Sequence, residues 1–468
     1  GDRGYRGGSG YRGGSGGGRG GDRGYRGGSG SGRGYRDNER GRSRRVYDDE
    51  PRDGLLADLV GHLHALDGRS YAAYKAIVGR YRAPAGWFLH IDRVQSDPYA
   101  PPTRIHVDVP TDLHGLELLD EADLLADADR RLAVGDFLTR ELHAGFRGTA
   151  LSIASPGQEI LQRSSVILRP DEKKEGTGWV LEVRARLALP AQGRSIQGHE
   201  ASRIVGRDLV RELEEAMDLT GERGDRLVRH VATLEDHRAL TATVARNGWV
   251  AFLADGSVLP RRSGVSDDPL DGGVPLQAPD SMAATVELPH AGTVRGTVVE
   301  AGVNVIVGGG YHGKSTLLSA IERGVYPHVP GDGRELVATV PDAVKVRAAD
   351  GRAVTGVDLT PFISHLPAGR DTASFTTRNA SGSTSQAASI IEAVEAGATT
   401  LLLDEDTSAT NLLIRDSRMR ELVAAEREPI TPLVDRITAL FRRRGVSTVM
   451  VMGGSGDYLD VADRVLLM

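Results

Sequence analysis

Gly308, Gly309, Gly310, Tyr311, His312, Gly313, Lys314 and Ser315 spell the pattern G-x-x-x-x-G-K-S. They directly follow the apolar run Val303-Asn304-Val305-Ile306-Val307 and precede helical spacing over Ser315–Glu322. Strand, glycine turn and helix in that order make a phosphate loop. The glycines let backbone N–H groups converge on an anion, and the positive end of the helix adds to the attraction. Lys314, one of five lysines in the chain, is placed to reach the β- and γ-phosphates. The Ser315 hydroxyl, followed by Thr316, is placed for Mg²⁺. Further on, Leu401-Leu402-Leu403 reads as a buried strand ending in Asp404 and Glu405. Asp404 can hold Mg²⁺ through water, and Glu405 can polarise an attacking water. Helix capping is the alternative role for this acidic cluster.

Between these elements lies Asn379-Ala380-Ser381-Gly382-Ser383-Thr384-Ser385-Gln386, leading into a helix over 387–395. Thr407-Ser408-Ala409-Thr410-Asn411 follows the acidic pair. A Ser/Gly turn capping a helix is common, but in this order the segments resemble the signature and D-loop of ABC-type cassettes. Three more segments extend the likeness: Asp92-Arg93-Val94-Gln95-Ser96-Asp97-Pro98, Leu189-Pro190-Ala191-Gln192-Gly193-Arg194 and Phe252-Leu253-Ala254-Asp255-Gly256-Ser257. Over roughly residues 55–468 the chain resembles the "predicted ATPase of the ABC class" family. The resemblance implies ATP and Mg²⁺ as ligands, Lys314 and Glu405 as catalytic groups, and Ser315 and Asp404 around the metal. It implies that Ser381, Gly382 and Ser383 act in trans on a nucleotide held by a second copy, with Ser408, Ala409, Thr410 and Asn411 as D-loop. A head-to-tail homodimer, closed by ATP and released by hydrolysis, follows from it. It also implies more chain after the cassette, so the sequence is expected to be a fragment at its C-terminus.

Three departures from the transporter-type pattern stand out. No Gln lies between Thr316 and Arg378, which leaves Asp358 and His365 as candidates for contacting Mg²⁺ or its water. No Phe, Tyr or Trp lies between 280 and Val307 to stack on a base. The strand over Ser447–Met452 runs into Gly453-Gly454-Ser455-Gly456-Asp457, where a phosphate-sensing His is expected; Ser455 or Asp457 could substitute, or the turn is structural. Slow hydrolysis is the expectation.

The elements that must position these residues alternate strand and helix after about residue 286, which predicts a parallel sheet covered on both faces. The fold class read from the sequence is α/β: a P-loop NTPase cassette of ABC type over 286–468, preceded by an α+β N-terminal domain over 51–285. Within that domain, helices are expected over 54–66, 71–78 and 201–217, and strands over 87–91, 105–109, 166–169, 180–189 and 250–253. In the cassette, strands are expected over 284–288, 293–299, 303–307, 400–403, 447–452 and 464–468, with a helix over 433–443.

Residues 1–50 form a different kind of segment, with 19 Gly, 12 Arg and 5 Tyr against 7 Asp+Glu, and Tyr-Arg-Gly-Gly-Ser-Gly at 5–10, 11–16 and 25–30. Having almost nothing to bury, such a tail is expected to be disordered. Interleaved Arg and Tyr suit phosphates and unpaired bases, so RNA is a candidate partner; a solubilising linker is the alternative. The net charge of −6 therefore hides a basic tail on an acidic body. Arg184, Arg186, Arg194 and Arg203 could line a polyanion groove or form a solvated charged face. With no Cys, disulfides, thiol catalysis and Cys-ligated metals are excluded. Nothing approaches the ~18 consecutive apolar residues of a membrane span, so a cytoplasmic location without membrane attachment is expected. A protein that binds RNA or acts as a scaffold, with ATP as a structural ligand and negligible turnover, is the alternative function.

Overall fold

The computed structural model describes residues 52–172, 178–364, 366, 371–414, 428–454 and 456–468. The Arg/Gly/Tyr-rich tail, His365 and Ser455 lie outside the described residues. The N-terminal domain is built on β1 (Arg52–Leu55), β2 (Gly79–Arg82), β3 (Phe88–Arg93), β4 (Thr103–Pro110), β5 (Leu151–Ser152), β6 (Val166–Pro170) and β7 (Trp179–Leu187). Their order is β1-β2-β3-β4-β7-β5, with β6 also paired to β7. Strand alternation decides which face is covered. On β4, Thr103, Ile105, Val107 and Val109 are buried, while Arg104, His106 and Asp108 point to the other face. Antiparallel sheets tolerate such one-sided burial. Helices α1 (Leu56–Ala65) and α2 (Ala128–Gly145) close the apolar face with Leu59, Leu63, Val134 and Leu138.

Helix α3 (Gly221–Arg246) has 26 residues, a length of about 39 Å at 1.5 Å per residue. It serves two cores. Leu227, Val231 and Leu234 join the N-terminal core. Leu240 and Val244 pack instead with Phe252, Val286 and Val298. Those residues belong to β8 (Trp249–Ala254), β9 (Ala283–Leu288) and β10 (Gly292–Glu300), an antiparallel sheet completed by Val337–Thr339. The division expected at residue 285 falls inside β9, and β8 pairs across it.

The second sheet contains β11 (Val303–Val307), β12 (Ala343–Lys345), β13 (Thr400–Asp404), β14 (Ser447–Val451) and β15 (Arg464–Leu467), in the order β12-β13-β14-β11-β15. Every pairing in it is parallel. Helices α4 (Lys314–Arg323), α5 (Gly382–Glu395) and α6 (Ile437–Arg444) belong to this part. The fold expected from the sequence is therefore present, with local differences. Residues Tyr71–Ile77 form a 3-10 helix, as does Leu433–Asp435 ahead of α6. The helix expected over 201–217 begins at Gly198 and carries a π-helical segment at Ile204–Asp208. Neither α2 nor α3 was among the expected elements. Their buried faces include Asp136 on α2 and His230, Asp236 and His237 on α3, which break the apolar periodicity.

Those polar groups are paired rather than stranded. Asp136 accepts from Arg140 at 2.7 Å, from Arg163 and from the Leu161 N–H, and lies 3.1 Å from His230 Nε2. Burial, reinforced by Arg140 and Arg163, depresses His230 to a pKa of about 3. Burial also depresses His237 to about 4, partly offset by its hydrogen bond to the Gly324 carbonyl. Both are neutral in the folded chain. Unfolding returns them towards 6.5, so below that pH the unfolded state binds more protons. Stability is expected to fall as pH drops from 6.5 towards 4, with up to about 1.4 kcal/mol per pH unit from each histidine. Urea midpoints near pH 7 and pH 5 check this, and His237→Asn should flatten the slope between them.

Candidate functional site

The phosphate loop leaves the C-terminal end of β11, the edge at which parallel α/β sheets bind ligands. Gly308 has φ +149°, and a Cβ there would lie 2.8 Å from the Met468 carbonyl oxygen. Gly313, the N-cap of α4, has φ +90°. Tyr311 also adopts a positive φ, +62°, with its ring fully exposed. Gly309 packs under the His312 ring, whose Nδ1 lies 3.1 Å from the Met468 carbonyl oxygen, and Gly310 faces open space. Lys314 Nζ donates to the carbonyls of Gly308 at 2.9 Å and Gly309 at 2.8 Å. Among the described residues no carboxylate pairs with it. The Ser315 hydroxyl is exposed and has no protein partner there, and Thr316 follows on α4, half-buried.

Asp404 ends β13 and is buried, and its Oδ1 accepts the Asp406 N–H at 3.1 Å. Glu405 is half-buried, and its Oε2 accepts the N–H groups of Gly453 and, at 3.1 Å, Gly454. These glycines follow β14, the strand between β13 and β11. The turn at which the sequence predicts a phosphate-sensing residue thus holds the Glu405 carboxylate through its backbone. An ammonium with only carbonyl dipoles opposite it, amides freed by glycines and a buried carboxylate two strands away make a donor set that fits a triphosphate with a divalent cation. Asp358 is engaged locally, its Oδ1 accepting the N–H and hydroxyl of Thr360 at 3.0 and 2.6 Å. Asp457 lies exposed in the turn after β14.

Ser381 is the N-cap of α5, with its hydroxyl 3.0 Å from that of Thr384 and 3.5 Å from that of Ser383. A Cβ on Gly382 would lie 3.1 Å from Asp350 Oδ1, a tight approach that glycine avoids. Gln386 is not among the residues that the sequence singles out as candidates, yet it joins the two halves of this region. Fully buried, it donates from Nε2 to Ser408 Oγ at 2.9 Å and accepts the Ala409 N–H on Oε1 at 2.8 Å. Ser408 Oγ in turn donates to the Asp404 carbonyl at 2.8 Å. Thr410 and Asn411 open the short helix Thr410–Leu413, whose last carbonyl accepts the buried Tyr458 hydroxyl at 2.8 Å. The start of α5, the segment 408–411 and the acidic strand are therefore one hydrogen-bonded unit. An amide buried in a run of small residues is the only sequence signal for it.

The far end of α4 docks on the N-terminal domain. Arg323 pairs with Glu159 at 2.8 Å. The Ile160 N–H donates to Pro327 and the Val329 N–H to Gln158, at 2.8 and 2.9 Å. His237 Nε2 on α3 lies 3.2 Å from the Gly324 carbonyl oxygen. A separate group on the N-terminal sheet, His90, His106 and Asp108, could offer a metal three ligand atoms within 4.8 Å of one another. Arg169 already sits 2.9 Å from Asp108 and supplies the positive charge there.

Comparison with known proteins agrees with the P-loop fold. Residues 56–219 match a family model described as ATPase of the ABC class N-terminal. Residues 223–468 match the P-loop domain model of the ABC ATPase family. An uncharacterised protein of Methanocaldococcus jannaschii is 27% identical over 263 residues, covering 51% of this chain and 58% of the relative. The chain thus spans less than two thirds of that relative.

Because the buried Gln386 amide satisfies two half-buried partners, Gln386→Ala should cost about 1–3 kcal/mol in urea unfolding. Combined with Ser408→Ala, a double-mutant cycle should return a coupling above about 0.5 kcal/mol. Strict additivity would contradict the bridge.

Proposed function

The chain belongs to the ABC-class ATPase family, and on that premise we propose that it hydrolyses Mg²⁺–ATP at a composite site formed by two copies. Dimer closure is its mechanical output, and RNA or another polyanion is what it acts on. The observation that carries this reading is Lys314, which sits at the N-terminus of α4 with no carboxylate partner among the described residues. A triphosphate entering the loop gives its ammonium the anion that the two loop carbonyls only partly replace. The N–H groups at the start of α4 add fixed dipoles aimed at the same oxygens. Mg²⁺, held by Ser315 and through water by Asp404, would neutralise charge on the β- and γ-oxygens.

Glu405 faces the water that attacks. Its carboxylate, pinned by the Gly453 and Gly454 amides, accepts a hydrogen bond from that water and fixes its direction. Ser381 and the N-terminus of the 14-residue α5 supply the second copy's donors to the γ-phosphate. Loss of that phosphate removes what both chains share, and the closed dimer loses its advantage over the open one. The Gln386–Ser408–Asp404 chain supports this reading, because it ties the part that senses a neighbour's nucleotide to the strand that carries the chain's own acids. The basic tail in the sequence supports a polyanion as partner. Among the described residues no helix is long and apolar enough to cross a membrane.

Steady-state phosphate release from Mg²⁺–ATP tests the proposal. Lys314→Ala should lower turnover by about 10²–10³-fold without lowering thermal stability. Turnover that is absent, or independent of Lys314, would sink it. ATP binding without turnover would instead favour a scaffold that keeps ATP as a structural ligand.

A further inference from the structure

The open face of the N-terminal sheet carries a row of arginines in register. Across β3, β4 and β7, Arg93 is opposite Arg104 and Arg104 is opposite Arg186, and on β5 Ser152 is opposite Arg186. Arg104 and Arg186 are exposed, and neither has an acidic partner among the described residues. Like charges directly opposed on neighbouring strands destabilise a sheet. The same face shows how this chain neutralises an arginine when it needs to, since Arg184 is held by Glu182 at 2.6 Å and Arg169 by Asp108 at 2.9 Å. The pair lines a groove of about 740 Å³ together with Ser152, His106, Arg184 and one carboxylate, Asp92, which His106 Nδ1 holds at 2.9 Å. That volume lies in the range of ligand sites, roughly 300–1,000 Å³, and exceeds what one phosphate fills. In the adjoining row, the His90 and His106 rings stack on each other with centroids 4.1 Å apart, a partly exposed aromatic pair beside the arginines.

We propose that this groove binds the backbone phosphates of a single-stranded polynucleotide, with Arg104 and Arg186 as the paired phosphate ligands. Cations that track a backbone, beside aromatic side chains on an open sheet, are the combination by which single strands are held without sequence choice. The inference rests on the polyanion reading above and gives it an address. Of the four arginines that the sequence offers for a polyanion groove, Arg184 and Arg186 line this one. Arg194 does not, and Arg203 is engaged by Glu200 and by Asp208 at 2.7 Å.

The test is fluorescence anisotropy of a labelled oligouridylate titrated with the full chain, at several salt concentrations and without nucleotide. Arg104→Ala combined with Arg186→Ala should weaken binding at least about ten-fold and make the log–log salt slope shallower by about 1.4, since each phosphate contact to a single strand contributes about 0.7. Melting of the double variant alone should show a Tm equal to or above that of the native chain, because an opposed like-charge pair is gone. If the double variant binds as tightly and with the same slope, the groove is not the site, although the polyanion reading stands. If the native chain does not bind oligouridylate at all, the groove proposal and RNA as the polyanion are both wrong.

Discussion

Lys314 is held by two carbonyl oxygens, 2.9 and 2.8 Å away, where a structural lysine would have a carboxylate. A positive charge balanced, among the described residues, by dipoles alone at the N-terminus of a helix that is itself positive calls for a rigidly specified loop around it. That constraint explains the glycines. At Gly308 a Cβ would run into the Met468 backbone, and at Gly313 the chain turns with φ +90° before the helix begins. It also explains the placement of the acids. Asp404 and Glu405 sit on and just after β13, two strands away, and Glu405 is tied to the intervening turn rather than to Lys314. An acid near enough to neutralise Lys314 would compete with an incoming phosphate.

The same helix carries that constraint outward. The N-terminus of α4 carries Lys314 and the phosphate loop, while its C-terminal end is fixed by Arg323–Glu159 and by His237 against Gly324. His237 lies on α3, whose two halves are packed into different cores. A shift of α4 therefore loads buried groups of the N-terminal domain directly, without a flexible linker between. The buried ion pairs around Asp136 are costly to break once one partner moves, which favours motion of the two parts as units. On the other side, Gln386 links the start of α5 to Ser408 and hence to Asp404, so the turn at Ser381 and the chain's own acids are coupled through three hydrogen bonds.

Much of this was legible in the residues. The loop, the acidic strand and the parallel sheet follow from local rules: β-branched runs, glycines at fixed spacing and a lysine opening a helix. The expected ATPase class agrees with the family models over 56–219 and 223–468. What the sequence hid depends on tertiary partners. Helices α2 and α3 bury Asp136, His230 and His237, so their apolar stripes are broken by groups that only a distant arginine or carbonyl makes tolerable. Gln386 looks like any amide until the segment it bridges folds beside it. The arginine row is legible only in part: Arg186 stands out as a polyanion candidate, but Arg93 and Arg104 join it through strand register alone.

The central claim is that each ATP site is shared between two chains, and mixing two inactive variants tests it most directly. Lys314→Ala removes the phosphate ligand and Ser381→Arg blocks the signature turn, so each alone should lack turnover. A mixed dimer restores one intact site of two. With random exchange, phosphate release should return to about a quarter of the native rate. A mixture as inactive as its components, under conditions where the chains demonstrably exchange, would contradict the composite site.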